Sequence, residues 1–156
     1  MSKISSKTRS AEALSPFGRP VDFLTASKIT LQLYESRVPA GAPTAAADDV
    51  ERQTTLNDIL LHHPRETFLL RVTGDSMSGI GMNDGDLLTV DRKLRPRNGD
   101  IVVACIDGQT TVKTLKQDKD GVALIPHNKE YQPITITPDN EFIVLGVVTN
   151  IIHTLY

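Results

Sequence analysis

The chain has one cysteine, Cys105, so an internal disulfide is excluded. It also lacks a long apolar run: the stretches IVVACI at 101–106 and FIVLGVV at 142–148 are far shorter than the roughly 20 residues that a membrane helix needs. The N-terminus carries basic residues but lacks the apolar region of a secretory signal. These absences predict a protein without a membrane span, located in the reducing cytoplasm.

Charge is unevenly distributed along the 156 residues. Residues 1–40 hold six basic and three acidic side chains, so, with an overall net charge of −2, residues 41–156 carry −5. Binding to DNA phosphates needs a basic face, which an acidic folded part does not offer. The basic cluster RKLRPR at 92–97 is interpreted as a solvated loop. We therefore expect no direct sequence-specific DNA binding.

The organisation of the chain changes near residue 40. Residues 1–40 are rich in serine, alanine and proline without sustained periodicity, which predicts a flexible N-terminal arm. Residues 41–156 are predicted to form the folded domain. Within it, TTLNDILLHHP has Thr55 and Asp58 at capping-box spacing, which predicts a short helix that is stopped by Pro64.

From residue 67 the pattern changes to short apolar strands separated by glycine turns. Asp107-Gly108, between two strand-like runs, predicts a hairpin with a type I′ turn, because that turn needs positive φ at both central positions. The fold class predicted is therefore mainly β: a compact, β-rich domain with one short helix. The predicted strands are TFLLRV, DLLTV, DIVVACI, TTVKTL, VALIP, ITI and EFIVLGVVTNII.

Two polar residues, Ser76 and Lys113, could act together. A serine hydroxyl is a weak nucleophile until a base takes its proton, and a neutral lysine amine can be that base. With an ordinary pKa of about 10.4, roughly one lysine in 2,500 is neutral at pH 7, so burial must lower the pKa. Strand alternation directs Lys113 to the same side as Thr111 and Leu115, and Lys116 to the other. Considered on its own, Ser76 is interpreted as a turn residue, and Lys113 is interpreted as a surface lysine.

Other chemistries fit the sequence less well. The nucleophile elbow G-x-S-x-G fails because Ser78 stands where the second glycine belongs. A Ser-His-Asp triad with His62, His63, His127 or His153 remains formally open, but the βαβ alternation that usually presents such an elbow is missing. His62 and His63 are adjacent on a helix and diverge by about 100°. We therefore expect solvated histidines there, no metal site and no cofactor.

Several segments together resemble the UmuD family, whose members are related to the self-cleaving domain of the LexA repressor. The resemblance covers roughly residues 36–150 and implies a LexA-like or UmuD-like peptidase domain. The segments that carry it are GDSM at 74–77, GDLLTVDR at 85–92, NGDIVVACIDGQTTVKTL at 98–115, LIPHNKEYQPI at 124–134 and VLGVV at 144–148.

The resemblance assigns a role to each site residue. Ser76 corresponds to the nucleophile and Lys113 to the general base of a Ser-Lys dyad. The family cleaves its own arm at a small residue followed by glycine, which implies a cleavage site at Ala40-Gly41. The backbone N–H groups of Ser76 and Met77 are the expected oxyanion donors, because they lie beside the nucleophile.

Two features depart from the family pattern. The leader before the cleavage site is longer than expected for UmuD, and Pro39, which fixes φ and lacks an N–H, immediately precedes it. Asp75 is interpreted as a turn-capping carboxylate rather than a third catalytic group.

The resemblance also implies partners. It predicts a homodimer whose self-cleavage is stimulated by a RecA filament on single-stranded DNA. The shortened dimer would then serve a UmuC-type, error-prone translesion polymerase in the SOS response. Two alternatives stay open: a non-catalytic binding module, and a relative of LexA or phage repressors. The repressor would need a DNA-reading helix pair, and residues 1–40 offer one helix at most.

Overall fold

The computed structural model describes residues 30–34, 41 and 50–156. Its main element is a seven-stranded antiparallel sheet with the strand order β3-β4-β9-β5-β6-β7-β8. All seven strands predicted from residue 67 onward are present, so the mainly β fold class is confirmed. The strands are β3 (Thr67–Arg71), β4 (Leu87–Asp91), β5 (Ile101–Ile106), β6 (Gln109–Asp118), β7 (Gly121–Ile125), β8 (Ile134–Ile136) and β9 (Phe142–Ile152).

A separate two-stranded sheet precedes the main one. It pairs β1 (Leu31–Tyr34) antiparallel with β2 (Val50–Thr54). The sequence pattern predicts no strand before residue 67, so both β1 and β2 are differences from the prediction. Residues 1–29 and 35–40 lie outside the described residues, and the division into an arm at 1–40 and a domain at 41–156 stays a prediction.

The short helix α1 (Leu56–Leu60) begins with the predicted capping box. The Thr55 hydroxyl accepts a hydrogen bond from the Asp58 N–H at 3.1 Å, and the Asp58 carboxylate accepts one from the Thr55 N–H at 3.3 Å. The helix ends before Pro64 is reached, because Leu61 is already extended, with φ −115° and ψ 112°. No helix in the described part of the chain is long and apolar enough to cross a bilayer.

Apolar side chains cover both faces of the central strand β5. Val103 belongs to one buried cluster, with Met82 and Leu88, whereas Val102 and Ala104 belong to another. Successive residues of a strand point to opposite faces, so a strand that is buried on both faces must be apolar throughout. This explains the unbroken run IVVACI.

The predicted type I′ turn joins β5 to β6. Asp107 and Gly108 have φ values of 48° and 80°, and the flanking residues Ile106 and Gln109 pair across the hairpin. The hairpin prediction is therefore confirmed. Its register sets Lys113 opposite Val102, in the buried middle of the sheet.

Candidate active site

Ser76 lies in the loop that leaves the edge strand β3. The loop passes Gly74, whose φ is 87°, and continues into a 3₁₀ turn at Ser78–Ile80. Gly79 in that turn packs directly on the main chain of His127, where a Cβ atom would overlap the carbonyl oxygen. The glycine therefore lets the turn approach closely, which fixes the loop that carries Ser76.

Lys113 lies on β6 and is buried, with 7% of its surface exposed. Its Nζ atom is 2.8 Å from the Ser76 Oγ, 2.9 Å from the Thr111 Oγ1 and 2.9 Å from the Val112 carbonyl oxygen. A charged ammonium could donate to all three oxygens. A neutral amine has two N–H groups and one lone pair, so donation to Thr111 and Val112 leaves the lone pair for the hydroxyl proton of Ser76.

Burial lowers the pKa of Lys113, because the charged amine loses its hydration in the protein interior. No ion pair opposes this effect, since no carboxylate lies within salt-bridge distance of Lys113 in the ranges that the structure describes. The predicted alternation of β6 is confirmed. Leu115 is buried beside Lys113, whereas Lys116 is exposed and forms a 3.3 Å ion pair with Asp118.

A segment after β7 holds the Ser76 loop in place. The His127 N–H donates to the Ser76 carbonyl at 2.8 Å, and the Gly79 N–H donates to the His127 carbonyl at 2.7 Å. The Tyr131 hydroxyl donates to the Asp75 carboxylate at 2.6 Å. Asp75 thus joins two segments and does not cap its own turn as predicted. The sequence reasoning missed these contacts, and the only signal for them is the family segment LIPHNKEYQPI.

The backbone N–H groups of Ser76 and Met77 have no hydrogen-bond acceptor among the described residues. Buried or semi-buried N–H groups are normally paired in a folded protein, so two successive unpaired donors beside a serine are unusual. The Met77 side chain is 3% exposed and belongs to the core, which holds this part of the loop rigidly. Both donors are therefore available to an oxygen atom near Ser76.

Ser76 and Lys113 open into a cleft of about 260 Å³. One wall is the end of β3 with the loop that follows it, at residues 70–74, and the other is the first half of β6, at residues 110–113. Among the residues that the structure describes, that half of β6 has no partner on its β7 side, because the pairing with β7 begins at Thr114, opposite Ile125. Beyond Ile125, the main chain of His127 bonds with Ser76 and Gly79 instead of continuing the ladder. The cleft therefore has an open backbone edge along one wall.

The histidines do not contact the Ser76 hydroxyl. His62 is exposed as predicted, whereas His63, also predicted to be solvated, is only half-exposed and pairs with the buried Asp91. Within the described ranges no three histidine, cysteine or acidic side chains lie close enough to hold a metal ion. The ring contacts are His63 Nδ1 to Asp91 Oδ2 at 2.7 Å, His153 Nδ1 to Asp86 Oδ1 at 2.6 Å and His127 Nε2 to Thr114 Oγ1 at 2.8 Å.

The predicted cleavage site lies mostly outside the described residues. Gly41 is exposed and lies in a bend, and its Cα faces open space. Ala40 and Pro39 belong to the segment that is not described. The structure brings Ser76 and Lys113 together, but the assignment of Ala40-Gly41 stays a prediction.

Comparisons with known proteins cover most of the chain. Residues 32–149 match the family model described as Peptidase S24-like. The chain is 44% identical to Protein SamA of Salmonella typhimurium over 124 residues, covering 80% of this chain and 86% of that protein. It is 39% identical to Protein ImpA of Escherichia coli over 137 residues, covering 88% and 93%. It is 40% identical to the LexA repressor of Bordetella avium over 128 residues, covering 82% of this chain but 59% of the repressor.

Proposed function

Because this chain belongs to the S24-like peptidase family, as a UmuD-like member, we propose that it is a serine peptidase that cleaves its own N-terminal segment. The observation that carries the proposal is the 2.8 Å contact between the Ser76 Oγ and the Nζ of a buried lysine that has no counter-ion among the described residues. A buried amine with a lowered pKa is neutral more often at neutral pH, which is the state that a general base requires.

The proposed reaction begins with transfer of the Ser76 hydroxyl proton to the lone pair of Lys113 Nζ. The Oγ atom attacks the carbonyl carbon of Ala40, and the N–H groups of Ser76 and Met77 donate to the oxyanion. Collapse of this intermediate breaks the bond to Gly41, whose nitrogen takes the proton from Lys113. The acyl group stays on Ser76 as an ester until water, deprotonated by Lys113, hydrolyses it.

The cleft favours an extended segment as the substrate. The open edge at residues 110–113 offers backbone groups to a strand laid beside it, as in strand addition to a sheet edge. Small residues such as Ala40 and Gly41 let their backbone come close to Ser76 and to this edge, because they carry little or no side chain. This supports Ala40-Gly41 as the bond that is cut.

The biological setting follows from the UmuD-like membership. We propose that the protein acts in the SOS response and that a RecA filament on single-stranded DNA stimulates the cut. The product, residues 41–156, retains α1 and all seven strands of the main sheet, which supports a folded product. As a homodimer, this product would join a UmuC-type translesion polymerase.

The test is cleavage of the purified protein, alone at pH 9–10 and with a RecA filament at pH 7. Mass spectrometry should show a new N-terminus at Gly41. Ser76→Ala and Lys113→Ala should each abolish the cut. Gly41→Leu should block it without changing the circular dichroism spectrum, whereas Gly18→Leu, a matched change in the same arm, should cut normally.

A cut elsewhere would overturn the site assignment. No cut under any condition, with a protein that is folded and dimeric, would instead favour a binding module in which Ser76 and Lys113 have no catalytic role. Sedimentation of the product at micromolar concentration checks the assembly, since a monomer would contradict the proposed polymerase subunit.

A further inference from the structure

His127 contacts both elements that carry the dyad. Its main chain makes two hydrogen bonds with the Ser76 loop, one to the Ser76 carbonyl at 2.8 Å and one from the Gly79 N–H at 2.7 Å. His127 donates one of these hydrogen bonds and accepts the other, and the two involve different residues of the loop. Together they fix the position of the loop as well as its orientation.

The ring of His127 reaches the other element. Its Nε2 atom is 2.8 Å from the Thr114 hydroxyl, on the residue next to Lys113 in β6. Thr114 is also the first residue of β6 to pair with β7, opposite Ile125. The main chain of His127 bonds with the Ser76 loop instead of with β6, so within the described residues no ladder hydrogen bond connects the segment at 126–128 to the strand. The ring of His127 replaces that connection.

We infer that His127 is a positioning residue, which sets the separation between the Ser76 Oγ and the Lys113 Nζ by tying the nucleophile's loop to β6. The inference rests on the proposed self-cleavage. The main chain of His127 holds the Ser76 loop, and the ring of His127 holds that main chain at a fixed distance from β6. His127 itself touches neither the Ser76 hydroxyl nor the Lys113 amine.

Loss of the ring contact should slow the chemical step without unfolding the domain. The seven-stranded sheet and both buried clusters do not include the His127 ring, so the fold should persist. The Ser76 loop would then be free to move relative to β6, and a displacement of about 1 Å between reacting groups can lower a rate by up to about 100-fold.

The experiment measures the first-order rate of self-cleavage across pH 7–10 in full-length variants. His127→Leu and Thr114→Val each remove one side of the contact, and each should lower the plateau rate at high pH by about tenfold or more. His127→Gln, whose amide can reach the position of Nε2, and Thr114→Ser, which keeps the hydroxyl, should restore most of that rate. His153→Leu removes a histidine contact of similar length elsewhere and should cut at the wild-type rate.

The double variant His127→Leu/Thr114→Val separates a shared contact from two independent effects. If the two groups act through one bond, the double variant should be no slower than either single variant. Additive losses, or wild-type rates in both single variants while the unaltered protein cuts, would overturn the positioning role alone. If the folded, unaltered protein does not cut itself at any pH, the proposed function fails and the positioning role fails with it.

Discussion

Raising the pH is the most direct perturbation of the proposed dyad. Only neutral Lys113 can accept the proton of Ser76, so self-cleavage without any activator should accelerate as pH rises and level off once Lys113 has lost its proton. The burial of Lys113 lowers its pKa, which moves the midpoint of this rise below the ordinary lysine value of about 10.4.

The magnitude of the rise reports the pKa. For a lysine with an unperturbed pKa of about 10.4, the plateau rate would exceed the rate at pH 7 by roughly 2,500-fold. Each unit by which the pKa is lowered reduces this ratio about tenfold. The desolvation of Lys113, with no carboxylate of the described residues close enough to oppose it, therefore predicts a ratio below 2,500.

The assay follows the full-length band on a gel at each pH, with circular dichroism as a check that the protein stays folded. Lys116→Ala is the matched control, because Lys116 lies on the same strand but is exposed and paired with Asp118. It should give the wild-type profile, whereas Lys113→Ala and Ser76→Ala should not cut at all. A wild-type profile from Lys113→Ala would refute the reasoning, as would a rate that does not change between pH 7 and 10.

A RecA filament can act on this profile in two ways. If it lowers the pKa of Lys113 further, the midpoint should move to lower pH. If it holds the arm in the cleft, the rate should rise at every pH while the midpoint stays.

Three further predictions follow from the same contacts. Lys113→Met should not lower the free energy of unfolding at pH 7, because burying the charged amine of Lys113 opposes folding. Denaturant titrations should show this cost of burying the charge vanishing as pH approaches about 10.4, where the amine is neutral in the unfolded chain as well. Gly79→Ala should abolish cleavage, since its Cβ would overlap the His127 carbonyl. Gly99→Ala is the control: its φ is 92°, but no described atom lies within contact distance of the added Cβ. This variant should lose about 1 kcal/mol in the free energy of unfolding, measured by thermal unfolding, and should still cut itself. Removal of residues 1–40 takes β1 away, so the β2 amides should exchange faster by mass spectrometry, while β5 stays protected.

The sequence predicts the main sheet well because its strands obey simple local rules. Apolar alternation or short apolar runs mark every strand after residue 67, and glycine turns separate them. Asp107-Gly108 specifies its own turn type, because few residue pairs tolerate positive φ at both positions. β1 escapes prediction, since LQLY is short and its partner VERQT is distant in sequence and mostly polar.

The site is predictable only in part. Strand alternation places Lys113 on the buried side of β6, but nothing local indicates which loop meets it there. The contacts of Asp75 with Tyr131 and of Ser76 with His127 join segments about 50 residues apart, and they depend on the tertiary fold. Likewise, the pairing of His63 with Asp91 depends on where the segment after α1 lies relative to the end of β4, which helix periodicity does not specify.

The change of pairing partner along β6 explains why one strand can contribute both to the core and to the cleft. Among the described strands, β6 pairs with β5 through residues 109–114 and with β7 through residues 114–118, and the two pairings overlap at Thr114, next to Lys113. The pairing with β7 stops at Ile125, and the main chain of His127 bonds with Ser76 and Gly79 instead of with β6, so within the described residues the open edge begins beside Lys113. Lys113 thus lies at the point where the paired part of the sheet gives way to its open edge. Burial in the sheet lowers the pKa of Lys113, and the open edge lets an extended segment approach Ser76. If β7 continued to pair with β6, it would cover this open edge, and the amine of Lys113 would have no route to a substrate.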